Sequence, residues 1–159
     1  MLLKDVVMED FIHYKKASMF ILFPFCTFKC ERECGEHCCQ NSALAQSPNI
    51  DVDIDTIIKR YLSNPITESI VCGGLEPFDS WEDLHSLIHK LRIDNSCFDD
   101  VVIYTGYKKE EILDKVNSLK SYSNIIIKFG RFIPNDTGYY NDILGVTLAS
   151  SNQYAEVIS

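Results

Sequence analysis

The sequence predicts an α/β protein on an open, mostly parallel sheet of about five strands, curved into a partial (βα) barrel. Three observations predict it. Five short apolar runs recur along the chain, as strands of a parallel sheet do. The stretches between the first four of them carry helical periodicity over ten or more residues, the length a parallel crossover needs. Five strands are also too few to close an eight-stranded barrel. At 159 residues the chain has the length of one domain, taken as residues 1–159.

The elements follow in order. The run from Ser18 to Phe25 reads as a buried strand that delivers Cys26 at its C-terminal end. From Asp51 to Leu62, the residues Ile54, Ile57, Ile58, Tyr61 and Leu62 form one apolar helix face. A second strand, Glu68 to Cys72, is halted by Gly73-Gly74. Asp79 or Ser80 then caps a helix, with Glu82 completing a capping box and Leu84, Leu87, Ile88 and Leu91 as its buried stripe. A third strand, Val101 to Tyr104, ends at Thr105-Gly106, before a helix carrying Ile112, Leu113, Val116 and Leu119. A fourth, Asn124 to Phe129, ends at Gly130, and a fifth, Ile143 to Ala149, runs into Ser150-Ser151-Asn152-Gln153. In parallel α/β folds the reactive groups gather where strand C-termini open into loops, so these strand ends should converge on one site.

Composition narrows the partners. With 15 Lys+Arg against 23 Asp+Glu the net charge is −8, which argues against a nucleic-acid backbone as the main partner. The longest apolar stretch, Met19 to Phe25, is far short of the roughly 20 residues of a membrane span, and the N-terminus lacks a signal-peptide layout. The expectation is a cytoplasmic protein with no membrane partner.

Seven cysteines is an odd count, and Cys26, Cys30, Cys34, Cys38 and Cys39 crowd into one loop, 26–41. In a chain without a secretory signal such clustering reads as metal chemistry before disulfides. Soft thiolates at short spacing favour zinc or an iron-sulfur cluster. A zinc knot of four thiolates, or of three with His37, is one reading, although the loop contains no CxxC pair. A helical stripe of thiols is another; each four-residue step drifts about 40° around a helix, so such thiols do not share one metal. Cys72 and Cys97 read as buried apolar residues, and His13, His85 and His89 as surface or helix-face positions without a role. The tyrosines of Tyr104-Thr105-Gly106-Tyr107 read first as packing, and Arg131 either as a solvated cation or as one that meets a ligand carboxylate or a partner.

The CxxxC after the first strand, the later Cys39-Gln40-Asn41, the Gly73-Gly74-Leu75-Glu76-Pro77 turn, YTGY at 104–107, GRFI at 130–133 and the terminal SSNQ occur in a distinctive order. Together they resemble the radical SAM enzymes, and more closely the small activating enzymes of anaerobic (class III) ribonucleotide reductases. The resemblance runs from about Met19 to Ser159. It implies a [4Fe-4S] cluster held by three thiolates, with one iron left open for the amino and carboxylate groups of S-adenosylmethionine. The family pattern CxxxCxxC is not kept, because Glu33 stands at its third cysteine. Cys26, Cys30 and Cys39 are the favoured ligands, since Cys39-Gln40-Asn41 resembles the Cys-x-Asn of the family; Cys34 is the alternative third ligand. Glu31 to Cys38 is then an insertion in the loop.

By the same resemblance Gly73, Gly74 and Glu76 face the methionine amino group, and Thr105 and Gly106 join them as cofactor-binding residues. No protein acid or base is required, so no residue is assigned a proton-transfer role. The implied activity is reductive cleavage of S-adenosylmethionine to install a glycyl radical on the large reductase subunit, with electrons from a flavodoxin- or ferredoxin-like donor. Alternatives are a radical SAM enzyme acting on another peptide or a small molecule, and a non-catalytic zinc or iron-sulfur module, including an electron carrier whose cluster is saturated by four cysteines.

Overall fold

The computed structural model describes residues 1–159. In chain order it contains β1 (Leu2–Leu3), β2 (Asp5–Asp10), β3 (Ser18–Phe23), α1 (Lys29–Cys34), α2 (Ser42–Gln46), β4 (Ile50–Asp51), α3 (Ile54–Leu62), β5 (Ser69–Gly74), α4 (Trp81–His89), β6 (Asp100–Tyr104), α5 (Leu113–Leu119), β7 (Ile125–Phe129), β8 (Tyr140–Asn141), β9 (Val146–Thr147) and β10 (Tyr154–Val157). Six strands form one mixed sheet in the order β10-β7-β6-β5-β3-β2. Its four central strands, β3, β5, β6 and β7, are parallel neighbours, and each new strand is added on the same side of the last. Antiparallel strands border both edges, β2 against β3 and β10 against β7.

Side chains alternate across a strand, and here the alternation separates two environments. Met19, Ile21, Ile70, Cys72, Val101, Ile103, Ile125 and Ile127 point to one face. There they meet Ile57, Ile58 and Tyr61 of α3, Leu84, Leu87 and Ile88 of α4, and Val116 and Leu119 of α5 in one core of 24 buried residues. Phe20, Val71, Val102 and Ile126 point to the other face, where Tyr14, Leu144, Leu148 and Ala155 cover them in a smaller core. The helical stripes thus bury against the sheet, as their period requires. None of the helices is long and apolar enough to cross a membrane.

Several expectations change. The run from Ile143 to Ala149 is not a fifth parallel strand. Only Val146–Thr147 is extended, paired with β8, and Gly145 turns left-handed at φ 73°, where a Cβ would collide with Lys15. Leu144 and Leu148 instead plug the smaller core. The last sheet strand is β10, beyond the SSNQ segment, and β2 is a strand the reading did not include. Asp5 and Glu9 sit on its exposed side while Val6 and Met8 pack against the core, which suits an edge with one apolar side. Strand β5 continues through both glycines rather than stopping before them.

The capping box ahead of α4 does not form. Asp79 accepts from Thr27 N–H at 2.8 Å and from Tyr107 O–H at 2.5 Å, and Ser80 makes no side-chain cap. For α3, Asp53 accepts from Thr56 N–H at 3.0 Å as an N-cap should. Cys72 and Cys97 are buried, Cys72 within the helix-side core.

Candidate functional site

A cleft of about 360 Å³ opens at the C-terminal ends of the parallel strands, on the face that the helices leave free. Cys26, Cys30 and Cys39 all line it, together with Gly74, Glu76, Thr105 and Gly106. Gly73 does not. A Cβ there would stand 2.9 Å from the Phe20 ring and 3.4 Å from Tyr104 Cβ, so its missing side chain serves the packing beneath the cleft.

Strand β3 ends three residues before Cys26, and α1 carries Cys30 back over the strand ends. The Cys26 thiol accepts from Phe28 N–H at 3.2 Å, and burial still pushes it up to about 12. Burial raises the Cys30 thiol as well, opposed by the Phe132 N–H and by the charges of Arg131 and Lys128. Asn41, two residues after Cys39, donates to the Gly74 carbonyl at 2.6 Å and ties the cysteine loop to the glycine turn. Gly74 itself is left-handed at φ 83°, a conformation that favours glycine.

Glu76 is the most constrained group of the site. It is buried, and its Oε1 accepts from Thr105 O–H at 2.8 Å and Phe78 N–H at 3.2 Å, while Oε2 accepts from Gly106 N–H at 2.9 Å. Desolvation outweighs these bonds and lifts the carboxyl to about 7. Thr105 therefore holds Glu76, and its own oxygen accepts from Tyr107 N–H at 3.0 Å. At Gly106 an added Cβ would lie 3.5 Å from Cys30 Sγ and 3.7 Å from Glu76 Oε2. The glycine keeps open the space between thiol and carboxyl.

Lys128 was not among the residues singled out from sequence. It lies on β7 opposite Tyr104, is buried, lines the cleft, and donates to the Gly130 carbonyl at 3.0 Å. Burial lowers its ammonium to about 8, although Glu76 and Cys30 support the charge. A lysine inside Ile-Ile-Ile-Lys-Phe was the available signal, because period two puts it opposite to Ile127 and away from the helices. His13 also lines the cleft, against the surface reading, with its ring 4.4 Å from that of Phe20 and its Nδ1 2.9 Å from Asp10. No sequence spacing marks it.

Arg131 is neither solvated nor aimed at the cleft. Buried, it forms a two-pronged pair with Glu111 at 2.7 and 2.8 Å, which holds that carboxyl down at about 2, and its Nε lies 3.2 Å from Glu33 Oε1. Glu33, three residues after Cys30, thus sets a half-exposed carboxylate of α1 beside Arg131. Lys29 adds a contact of 3.4 Å to Glu111 and stands over the Tyr107 ring. Gln153 closes the far wall. Its Oε1 accepts from Ala149 and Ser150 N–H, and its Nε2 donates to the Gly130 carbonyl.

Cys34 and Cys38 do not line the cleft; their sulfurs face each other at 2.6 Å. The His37 side chain is fully exposed, 3.4 Å from Glu31. No three Cys, His, Asp or Glu side chains converge closely enough to hold one metal ion. A tetrahedral zinc with bonds of about 2.3 Å needs such convergence. Three thiols spread around a cleft, beside a gap kept open by Gly106, fit a polynuclear cluster better, since each thiolate then meets its own iron.

A family model described as a 4Fe-4S single cluster domain matches residues 17–153. No curated protein and no solved structure matches the chain.

Proposed function

Because the chain belongs to the 4Fe-4S single cluster domain family, we propose that it is a radical SAM activating enzyme of the anaerobic ribonucleotide reductase type. One observation carries the reading: Cys26, Cys30 and Cys39 line the same cleft as Glu76, with Gly106 leaving the space between Cys30 and Glu76 open. Three thiols, not four, face that space, which supports an open iron rather than a saturated electron-transfer centre. On this reading the sheet is the open partial barrel expected from sequence, and residues 1–159 are one domain.

A [4Fe-4S] cluster would be held by Cys26, Cys30 and Cys39 and would supply, when bound, the low-potential electron for reductive cleavage of S-adenosylmethionine. The chain's residues bind and orient. Cys26, Cys30 and Cys39 lose their protons on ligation, which Lys128 favours for Cys30. Glu76, fixed by Thr105 and Gly106, accepts from the N–H of the methionine amino group. Lys128 meets the methionine carboxylate, since Arg131 is engaged by Glu111. The apolar walls Phe20, Leu22, Leu148 and Phe132 exclude water from the sulfonium. The substrate is a glycine Cα of a large glycyl-radical reductase subunit, and the donor is flavodoxin- or ferredoxin-like.

Anaerobic reconstitution tests the proposal. The expected outcome is a site-differentiated cluster whose electron paramagnetic resonance changes on adding S-adenosylmethionine, with 5′-deoxyadenosine formed once a strong reductant is present. One zinc per chain and no response to S-adenosylmethionine would overturn it.

A further inference from the structure

Two of the five loop cysteines have no part in the cleft, and their placement is specific. Helix α1 ends at Cys34, and Gly35, left-handed at φ 75°, turns the chain back so that Cys38 returns over the helix end. The two sulfurs then lie 2.6 Å apart, about half an ångström beyond the S–S bond length of about 2.05 Å. Cys34 Sγ also approaches the Glu36 carbonyl at 3.2 Å, so the turn is folded around the pair. Both residues are partly exposed and open to a reagent from solvent, unlike Cys72 in the core.

We propose that Cys34 and Cys38 form a redox-active thiol pair, converted to an intramolecular disulfide by low-molecular-weight disulfides of the glutathione class. One thiolate attacks a sulfur of the oxidant, breaking its S–S bond and releasing one thiolate. The second cysteine attacks the resulting mixed disulfide and expels the other. The chain loses two electrons and two protons, and the oxidant leaves as two thiols. The new bond joins the helix end that carries Cys30 one turn earlier to the residue preceding Cys39. Oxidation therefore fixes the chain between the second and third cleft cysteines, and reduction frees it. The inference does not rest on the proposed activity, because the pair lies outside the cleft and its state is read by mass rather than turnover.

The test incubates the full reconstituted chain anaerobically in glutathione buffers of rising disulfide fraction. Free thiols are alkylated after acid quench and mapped by peptide mass spectrometry. The expected result is joint loss of alkylation at Cys34 and Cys38, with the peptide that spans them lighter by two hydrogens. In Cys38→Ser protein, Cys34 should instead carry a glutathione adduct. Iron content read separately on the Cys34→Ser/Cys38→Ser protein should match the parent. Full alkylation of both residues in glutathione disulfide alone, a cross-link to Cys26, Cys30 or Cys39, or loss of iron from the double variant would each overturn the proposal.

Discussion

The two faces of the central sheet use the same strands for opposite ends. On the helix side, β5, β6 and β7 present Ile70, Cys72, Val101, Ile103, Ile125 and Ile127, an aliphatic surface closed by three helices. One residue along each strand, the other side presents Gly73, Tyr104 and Lys128 near the cleft, where a missing side chain, a phenol and a buried ammonium replace hydrocarbon. The first face gains stability from close packing. The second keeps polar groups in a dry place, which costs stability and leaves them ready for a charged ligand. Alternation by single residues lets one short strand serve both.

The contrast stands or falls first at the cysteine loop. Cys39→Ala should reduce bound iron to background and abolish 5′-deoxyadenosine formation, while Cys34→Ala keeps its cluster; iron analysis and the turnover assay read both, and the reverse result reassigns the third ligand. Next come the two faces themselves. Ile103→Ala, on the helix side, should cost about 2 to 5 kcal/mol in urea unfolding. Lys128→Met removes a buried charge and should leave stability nearly unchanged or improved while weakening S-adenosylmethionine binding. Equal destabilisation by both would erase the distinction.

Glu76 gives a smaller, pH-dependent signature. Its carboxyl rises from 4.5 to about 7 in the fold, so between those values the folded chain holds a proton that the unfolded chain has released. Stability therefore falls as pH rises through this window, by up to about 3 kcal/mol at about 1.4 kcal/mol per unit, and levels off above it. Glu76→Gln should flatten that segment of the unfolding curve; an unchanged slope would mean the group is solvated. The smallest effect is expected at Gly106→Ala. The backbone there is not left-handed, and the new Cβ only comes into contact distance of Cys30 and Glu76. Stability should shift by less than about 1 kcal/mol, with S-adenosylmethionine affinity reduced severalfold by calorimetry.

Much of the helix-side face was legible because its periods are local. The stripe of α3 and the run of β7 each announce their burial within ten residues. The cleft was legible only where a motif marks a strand end, as at Cys26, Glu76 and Thr105-Gly106. Lys128 was hidden inside an apolar run, and His13 precedes the first predicted strand. Arg131 was read as solvated or ligand-facing because its partner Glu111 lies twenty residues back and meets it only after β7 pairs with β6. Ile143–Ala149 misled for the converse reason: an apolar stretch that looks extended is bent by Gly145 into a plug.

Arg131 meets the middle of the loop at Glu33, and Asn41 fastens its end to Gly74. Between these two anchors the contour length is free to vary, because closing a flexible loop costs only about 0.6 kcal/mol more for each doubling of its length. Descendants of such a chain can lengthen or trim that stretch, and shift a ligand's position in the sequence, while its position in space stays put. Counting residues between cysteines is thus a poor ruler for kinship among proteins of this build; the fixed points at either end are the better landmarks.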